Sequence, residues 1–344
     1  MRPPDRITDK SELEELLSRP SDAAIDAMRR VQGDVLILGA GGKMGPSLTR
    51  MVVRASEAAG AAKRVIAVSR FSEPGLVESL DEHSVETIAG DLLDDSFVAG
   101  LPDAENVIFM AGMKFGTAEN PAATWAMNTY VPALVCRRYT GSRLLTFSTG
   151  NVYPFVSIDS GGSVETDAPA PVGEYGMSAL GRERVFEFFC GRDSMPLSIV
   201  RLNYAVEMRY GVLVDLARKV HAEQPIDLSM GYANVIWQGD ANALTLAALA
   251  DAAVPPYVVN VAGAERLDVR AACEQFGLLL GKRPDFRREP APTAFLSDGR
   301  MAHRRYGEPR VELHTLIEWT ADWIKRGGAV WSKPTHFEAR DGRF

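Results

Sequence analysis

Three cysteines in 344 residues, Cys136, Cys190 and Cys273, set far apart in apolar stretches, exclude a disulfide framework and any Cys-x-x-Cys metal or redox pair. They read as buried thiols in a reducing compartment. Histidine is almost as scarce, and the five residues His83, His221, His303, His314 and His336 show no spacing that brings two onto one ion, so no metal is expected. No apolar run reaches the about 20 residues of a membrane span, and residues 1–30 mix acids with bases and lack the apolar core of a secretory signal. A cytoplasmic chain with no membrane partner is expected. Positive charge is in deficit, 38 Lys and Arg against 45 Asp and Glu for a net −7, which argues against a nucleic-acid partner. Internal repeats and low-complexity tracts are absent as well.

What is present is a large apolar fraction, 46%, enough for one big core or a core with a smaller lobe. Residues 9–31 carry leucines and other apolar residues at three-to-four spacing, broken at Pro20, and predict a helical extension. From Asp34 the pattern becomes short apolar runs alternating with helical stretches: strands at 35–38, 65–68, 85–89, 107–110, 144–147 and 197–201, and long helices at 125–139 and 175–189. Fully apolar strands separated by crossover helices predict an α/β fold, a Rossmann-type doubly wound parallel sheet covered on both faces. Beyond residue 202 prolines break the order, as suits a smaller C-terminal substrate-capping lobe. The expected divisions are an extension at 1–33, a dinucleotide-binding domain at 34–202, a mixed lobe with elements returning to the sheet at 203–330, and a tail at 331–344.

The first strand runs straight into Gly39-Ala40-Gly41-Gly42-Lys43-Met44-Gly45 and then a helix. Gly39, Gly42 and Gly45 stand at Gly-x-x-Gly-x-x-Gly spacing, which lets a turn tighten, backbone amides approach a pyrophosphate, and the helix pack close to the strand. The helix N-terminus then faces the anion. Where an acid would grip a ribose 2′-hydroxyl, the second strand ends in Val68-Ser69-Arg70. Arg70 offers a guanidinium fork to a 2′-phosphate and Lys43 a second charge, so NADP is expected ahead of NAD.

The glycine spacing, Asp91-Leu92, Met110-Ala111-Gly112, Asn128, the run Phe147-Ser148-Thr149-Gly150-Asn151-Val152-Tyr153, Tyr175, and Val200-Arg201-Leu202-Asn203 together resemble the extended short-chain dehydrogenase/reductases, which include the sugar-nucleotide epimerases and dehydratases. The resemblance covers about residues 34–325. It implies that Asp91 and Leu92 border the adenine, that Ala111 and Gly112 lie on the nicotinamide side, and that Asn128 belongs to the same cofactor site. Thr149 and Tyr175 become the catalytic hydroxyl pair, the tyrosine carrying the proton while hydride moves to or from nicotinamide. Long helices 125–139 and 175–189 imply a homodimer.

Two departures matter. The family's Tyr-x-x-x-Lys reads Tyr175-Gly176-Met177-Ser178-Ala179 here, so the cation that lowers the tyrosine pKa and holds the ribose is missing. Arg182 shares a helical face with Tyr175 and Ala179 and is the candidate replacement, unless it and Arg184 merely form a solvated face. Thr149 is followed by Gly150 and Asn151 instead of the dehydratases' acid pair, and their Tyr-Gly-Pro is eroded to Tyr204-Ala205-Val206. Dehydration is disfavoured, and a smaller sugar, sugar acid or lactone joins nucleotide-sugars as substrate. Lys114, Phe115, Asn151, Asn203, Tyr204, Arg209 and Trp237 are the candidate substrate contacts, Lys114 with a solvated loop charge and Tyr204 and Trp237 with core packing as alternatives. The tail motif Lys333-Pro334-Thr335-His336-Phe337 either folds over the site or packs as a surface strap. Two functions fit: an NAD(P)-dependent oxidoreductase or epimerase, and a dinucleotide-binding sensor or scaffold that has lost catalysis.

Overall fold

A computed structural model describes residues 3–114, 116, 117, 119–331 and 333–342. Four consecutive buried apolar residues make Val35–Leu38 (β1), and the same continuous burial marks the strands nearest it, Val65–Ser69 (β2) and Asn106–Phe109 (β4). With Val85–Ala89 (β3), Arg143–Thr149 (β5), Leu197–Leu202 (β6) and Tyr257–Val261 (β7) they form one seven-stranded parallel sheet in the order β3-β2-β1-β4-β5-β6-β7. The order reverses at β1 and β4. That switch point opens a crevice at the carboxyl ends of the strands, where open α/β sheets take their ligands.

Residues 9–31 form two capped helices on either side of Pro20. Lys10–Leu17 (α1) starts where the Asp9 side chain accepts from the Glu12 N–H, and Asp22–Arg30 (α2) where Ser21 accepts from Ala24. The extension is no appendage: Leu13 and Leu17 are buried with the C-terminal core, and Ala24, Ala27 and Met28 with the sheet. After β1 comes Gly45–Ala58 (α3), started by Pro46, and then Leu76–Asp81 (α4) and Asp95–Ala99 (α5).

The helix expected at 125–139 spans 121–138 (α6) and contains a π turn at Ala126–Tyr130. Gly173–Asp193 (α7) is longer than expected. The C-terminal core forms between Val212–His221 (α8), Val269–Leu280 (α10) and Leu313–Lys325 (α12). Gln238–Leu249 (α9), all twelve of whose residues are buried, returns to the sheet and packs on α2 and α3. Arg300–Tyr306 (α11), which the sequence pattern does not announce, packs near β7. Among the described residues no helix is long and apolar enough to cross a membrane.

Candidate active site

The glycine turn is built for close approach. Gly39 has φ +92°, and a Cβ there would lie 2.6 Å from the backbone nitrogen of Ala111; one on Gly45 would meet the Ala40 oxygen at 2.1 Å, and one on Gly41 the Ser69 hydroxyl at 2.5 Å. Gly42 differs: it is exposed, with only the Gly39 oxygen at 3.4 Å from a built Cβ. Three glycines thus close the turn onto β2, β4 and α3, and the fourth leaves backbone open where an anion would approach the α3 N-terminus. These residues fit a dinucleotide. Ser69 and exposed Arg70 end β2, exposed Asp91 and buried Leu92 follow β3, and Ala111 and Gly112 follow β4, all at the same carboxyl edge.

On the far side of the switch point the Tyr175 hydroxyl hydrogen-bonds Thr149. Burial pushes the phenol up from its ordinary value, while the Thr149 hydrogen bond and the nearby Arg182 charge oppose that rise. Arg182 is buried, donating from Nη2 to Asn128 Oδ1 (2.6 Å) and from Nη1 to the Phe147 carbonyl (2.9 Å). Its Nη2 fills the space beneath Gly112, 2.3 Å from where a Cβ would stand. Arg184 on the same helix is exposed and pairs with Glu187, so only one of the two arginines is a solvated charge. Ala179 is sealed against Val152 and Tyr153.

Asn128, on the π turn of α6, organises this edge. It accepts from the Met113 N–H (2.9 Å) and donates to the Met113 carbonyl (3.1 Å) and Ser178 Oγ (2.9 Å), so its side chain holds the loop after β4. Beneath α7, Arg201 on β6 pairs with Glu183 at 2.7 Å, both buried; Ser148 also donates to Glu183, and Arg201 reaches the Tyr153 hydroxyl at 2.8 Å. This network locks the tyrosine helix to β5 and β6.

Among the proposed substrate contacts, Lys114 lies 5.8 Å from the Tyr175 ring centroid, and burial pulls its ammonium down to about 8. Asn151 donates its N–H to Thr149 Oγ1 at 3.2 Å. Asn203 lies under Gly150, and Tyr204, held at φ +43°, neighbours Tyr175. Trp237 is turned away from the site, and Arg209, which lines the cavity beside the glycine turn, is held in ion pairs. The Trp237 indole packs edge-on against Trp319, 5.5 Å between centroids, inside the C-terminal core, because its strand faces that core instead of the crevice. Arg209 is buried and bonded to Glu207 (2.9 Å) and Glu14 (2.6 Å), a fixed ion cluster. Phe115 lies outside the described residues.

Sequence reasoning missed Tyr210 and Asp215 and left open whether the tail folds over the site. Lys43 Nζ lies 3.0 Å from the Tyr210 ring centroid, so the glycine loop touches the C-terminal region directly, a contact no local spacing foreshadows. Burial, with the charges of Lys114 and Lys333, pulls the Lys43 ammonium down to about 7. Among the described residues no cluster of histidine, cysteine and carboxylate side chains is arranged to hold a metal.

A parallel sheet in this order, with a glycine turn feeding α3 at the switch point, defines a Rossmann-type dinucleotide fold. The NAD dependent epimerase/dehydratase family matches residues 35–262, and the chain belongs to that family. No curated protein matches it in sequence. Among solved structures it is similar to the UDP-glucuronic acid 4-epimerase of Bacillus cereus in complex with NAD, at 21% identity and TM-score 0.71, over 87% of this chain and 100% of that one. The UDP-glucose 4-epimerase of Thermotoga maritima, solved with UDP-glucose, gives 17% and 0.70 over 86% and 99%. The dTDP-glucose 4,6-dehydratase of Streptomyces venezuelae gives 17% and 0.73 over 85% and 97%.

Proposed function

We propose that the protein is an NAD(P)-dependent oxidoreductase or epimerase acting on a sugar, sugar acid, lactone or nucleotide-sugar, with Tyr175 carrying the proton. The observation behind this reading is the Tyr175 hydroxyl, hydrogen-bonded to Thr149 and near the buried Arg182 guanidinium. The glycine turn, Ser69, Arg70, Asp91, Leu92 and Ala111 would hold the cofactor. The nicotinamide, when bound, exchanges hydride with the substrate carbon. Tyr175 takes or returns the proton of the substrate hydroxyl at its own oxygen, and Thr149 holds that hydroxyl in line. Arg182 acts through Tyr175 as a positioning residue, a fixed charge that favours phenolate without carrying a proton itself. Lys114 beside the tyrosine favours a substrate with its own negative charge, hence a sugar acid. The carbohydrates bound by the solved relatives support the wider class. The cofactor is proposed to be NADP, since Ser69 and Arg70 stand where an acid would reject the 2′-phosphate, and the assembly to be a homodimer.

Screening sugars, aldonates, uronates and lactones by nicotinamide absorbance, with isotope exchange to catch redox-neutral epimerisation, tests the reading. Burial raises the Tyr175 pKa, so turnover should climb toward alkaline pH. Arg182→Met should move that rise further up, and Ala179→Lys should move it down. Tyr175→Phe should lose turnover while keeping cofactor binding. An undiminished Tyr175→Phe enzyme refutes the tyrosine mechanism, and cofactor binding with no turnover on any substrate returns the non-catalytic reading.

A further inference from the structure

The family match ends at residue 262, and the tail after α12 lies well beyond it. The described residues of the tail, 330, 331 and 333–342, have no regular structure, yet they are fastened at several points. The Trp331 N–H donates to the Arg209 carbonyl at 2.9 Å, and its ring lies under the Arg209 guanidinium at 4.9 Å and 6.1 Å from Tyr210. Thr335 donates from both N–H (2.7 Å) and hydroxyl (2.6 Å) to Asp215 on α8, and Phe337 is 1% exposed. Arg340 reaches Thr293, and Gly342 packs on Gly173 at the start of the tyrosine helix.

The fastened tail encloses something. Val330, Trp331 and Lys333 line the same cavity, about 620 Å³, as Gly41, Gly42 and Lys43 of the cofactor turn. Lys10, Arg50 and Arg209 add three more cations to its wall, whereas its carboxylates are Glu73 and a Glu14 already paired with Arg209 and Arg50. Lys333 is exposed and makes no ion pair among the described residues. In a chain of net charge −7, this is a local excess of positive charge facing the exposed Gly42 of the cofactor turn. Apolar packing does not require it, since like charges around a cavity repel. Phosphates are the chemical class that answers it.

We propose that the C-terminal tail is a wall of the dinucleotide site: Lys333 and Lys43 take the cofactor's phosphates from opposite sides, and the tail must part from Arg209 and Asp215 before the cofactor leaves. The proposal rests on the dinucleotide reading above. A wall that must open slows release more than it changes capture, which suits a cofactor regenerated in place by a redox-neutral epimerase.

NADPH fluorescence titration and displacement kinetics on the full chain test it with no sugar needed. Lys333→Met removes one charge-assisted contact from an exposed side chain that makes no ion pair among the described residues, so folding should be little affected, and NADPH should bind about tenfold more weakly. Thr335→Ala loosens the fastening and should speed NADPH release. Amide exchange across 330–342 should slow when NADPH is added to wild type. If wild type binds NADPH but both variants match its affinity and release rate, and tail exchange ignores the cofactor, the tail proposal is overturned with the dinucleotide reading intact. If wild type binds neither NADPH nor NADH, the dinucleotide reading itself fails and takes the tail with it.

Discussion

At the scale of single residues, the proposed preference for NADP rests on the end of β2. An acid there accepts from a ribose 2′-hydroxyl and repels a 2′-phosphate; Ser69 does neither strongly, and exposed Arg70 is positioned to pair. Wild type should therefore bind NADP more tightly than NAD, and Arg70→Ala should cost NADP about tenfold or more while sparing NAD. Parallel titrations of both cofactors decide it, and a wild type that prefers NAD removes the assignment. Arg182 is the other residue whose meaning changed on folding. On a helical wheel it is one of two arginines; in the fold it is the buried one, shared between Asn128 and the Phe147 carbonyl.

At the scale of elements, α7 carries Tyr175, and the proposed mechanism needs it held in place. Its anchor is the Glu183–Arg201 pair, whose partners are 0% and 5% exposed and which also ties in Ser148 and Tyr153. Removing one member of a buried pair strands the other charge, so Glu183→Gln should destabilise by about 3–5 kcal/mol. The Arg184–Glu187 pair on the outer face of the same helix, with Arg184 55% exposed, is the control, and Glu187→Ala should cost under about 1 kcal/mol. Urea unfolding measures both, as a fall in midpoint at unchanged slope. Equal losses for the two variants would mean that the buried network does not hold the helix.

At the scale of the whole molecule, the neighbouring helices α6 and α7 expose large apolar side chains: Trp125 at 36%, Tyr130 at 45%, Met177 at 46% and Phe188 at 60%. Exposed apolar side chains on two neighbouring helices are what a two-fold helical interface would cover. Sedimentation should show a dimer at micromolar concentration, and Phe188→Glu should yield a folded monomer. A wild-type monomer at that concentration refutes the assembly.

Periodicity in the chain was sufficient for most of the sheet and the long helices, because strands buried on both faces read as continuous apolar runs. The seventh strand was harder: Tyr257–Val261 pairs with β6 from beyond a cis Val254–Pro255 bond in a proline-broken stretch. The glycine turn was legible down to individual residues, since Gly39, Gly41 and Gly45 are dictated by backbone contacts within one strand–turn–helix unit. What joins distant segments was not. Trp237 looked like a substrate contact until packing turned it into the C-terminal core, and the ion pairs that hold Arg209 to Glu207 and Glu14 at the cavity wall could not be read from spacing. The Lys43–Tyr210 contact and the tail fastened to Asp215 exist only after the C-terminal region has folded against the sheet. Local sequence determines what depends on hydrogen bonds and sterics a few residues apart; only the tertiary structure decides which remote charges face one cavity, because that depends on how whole elements pack.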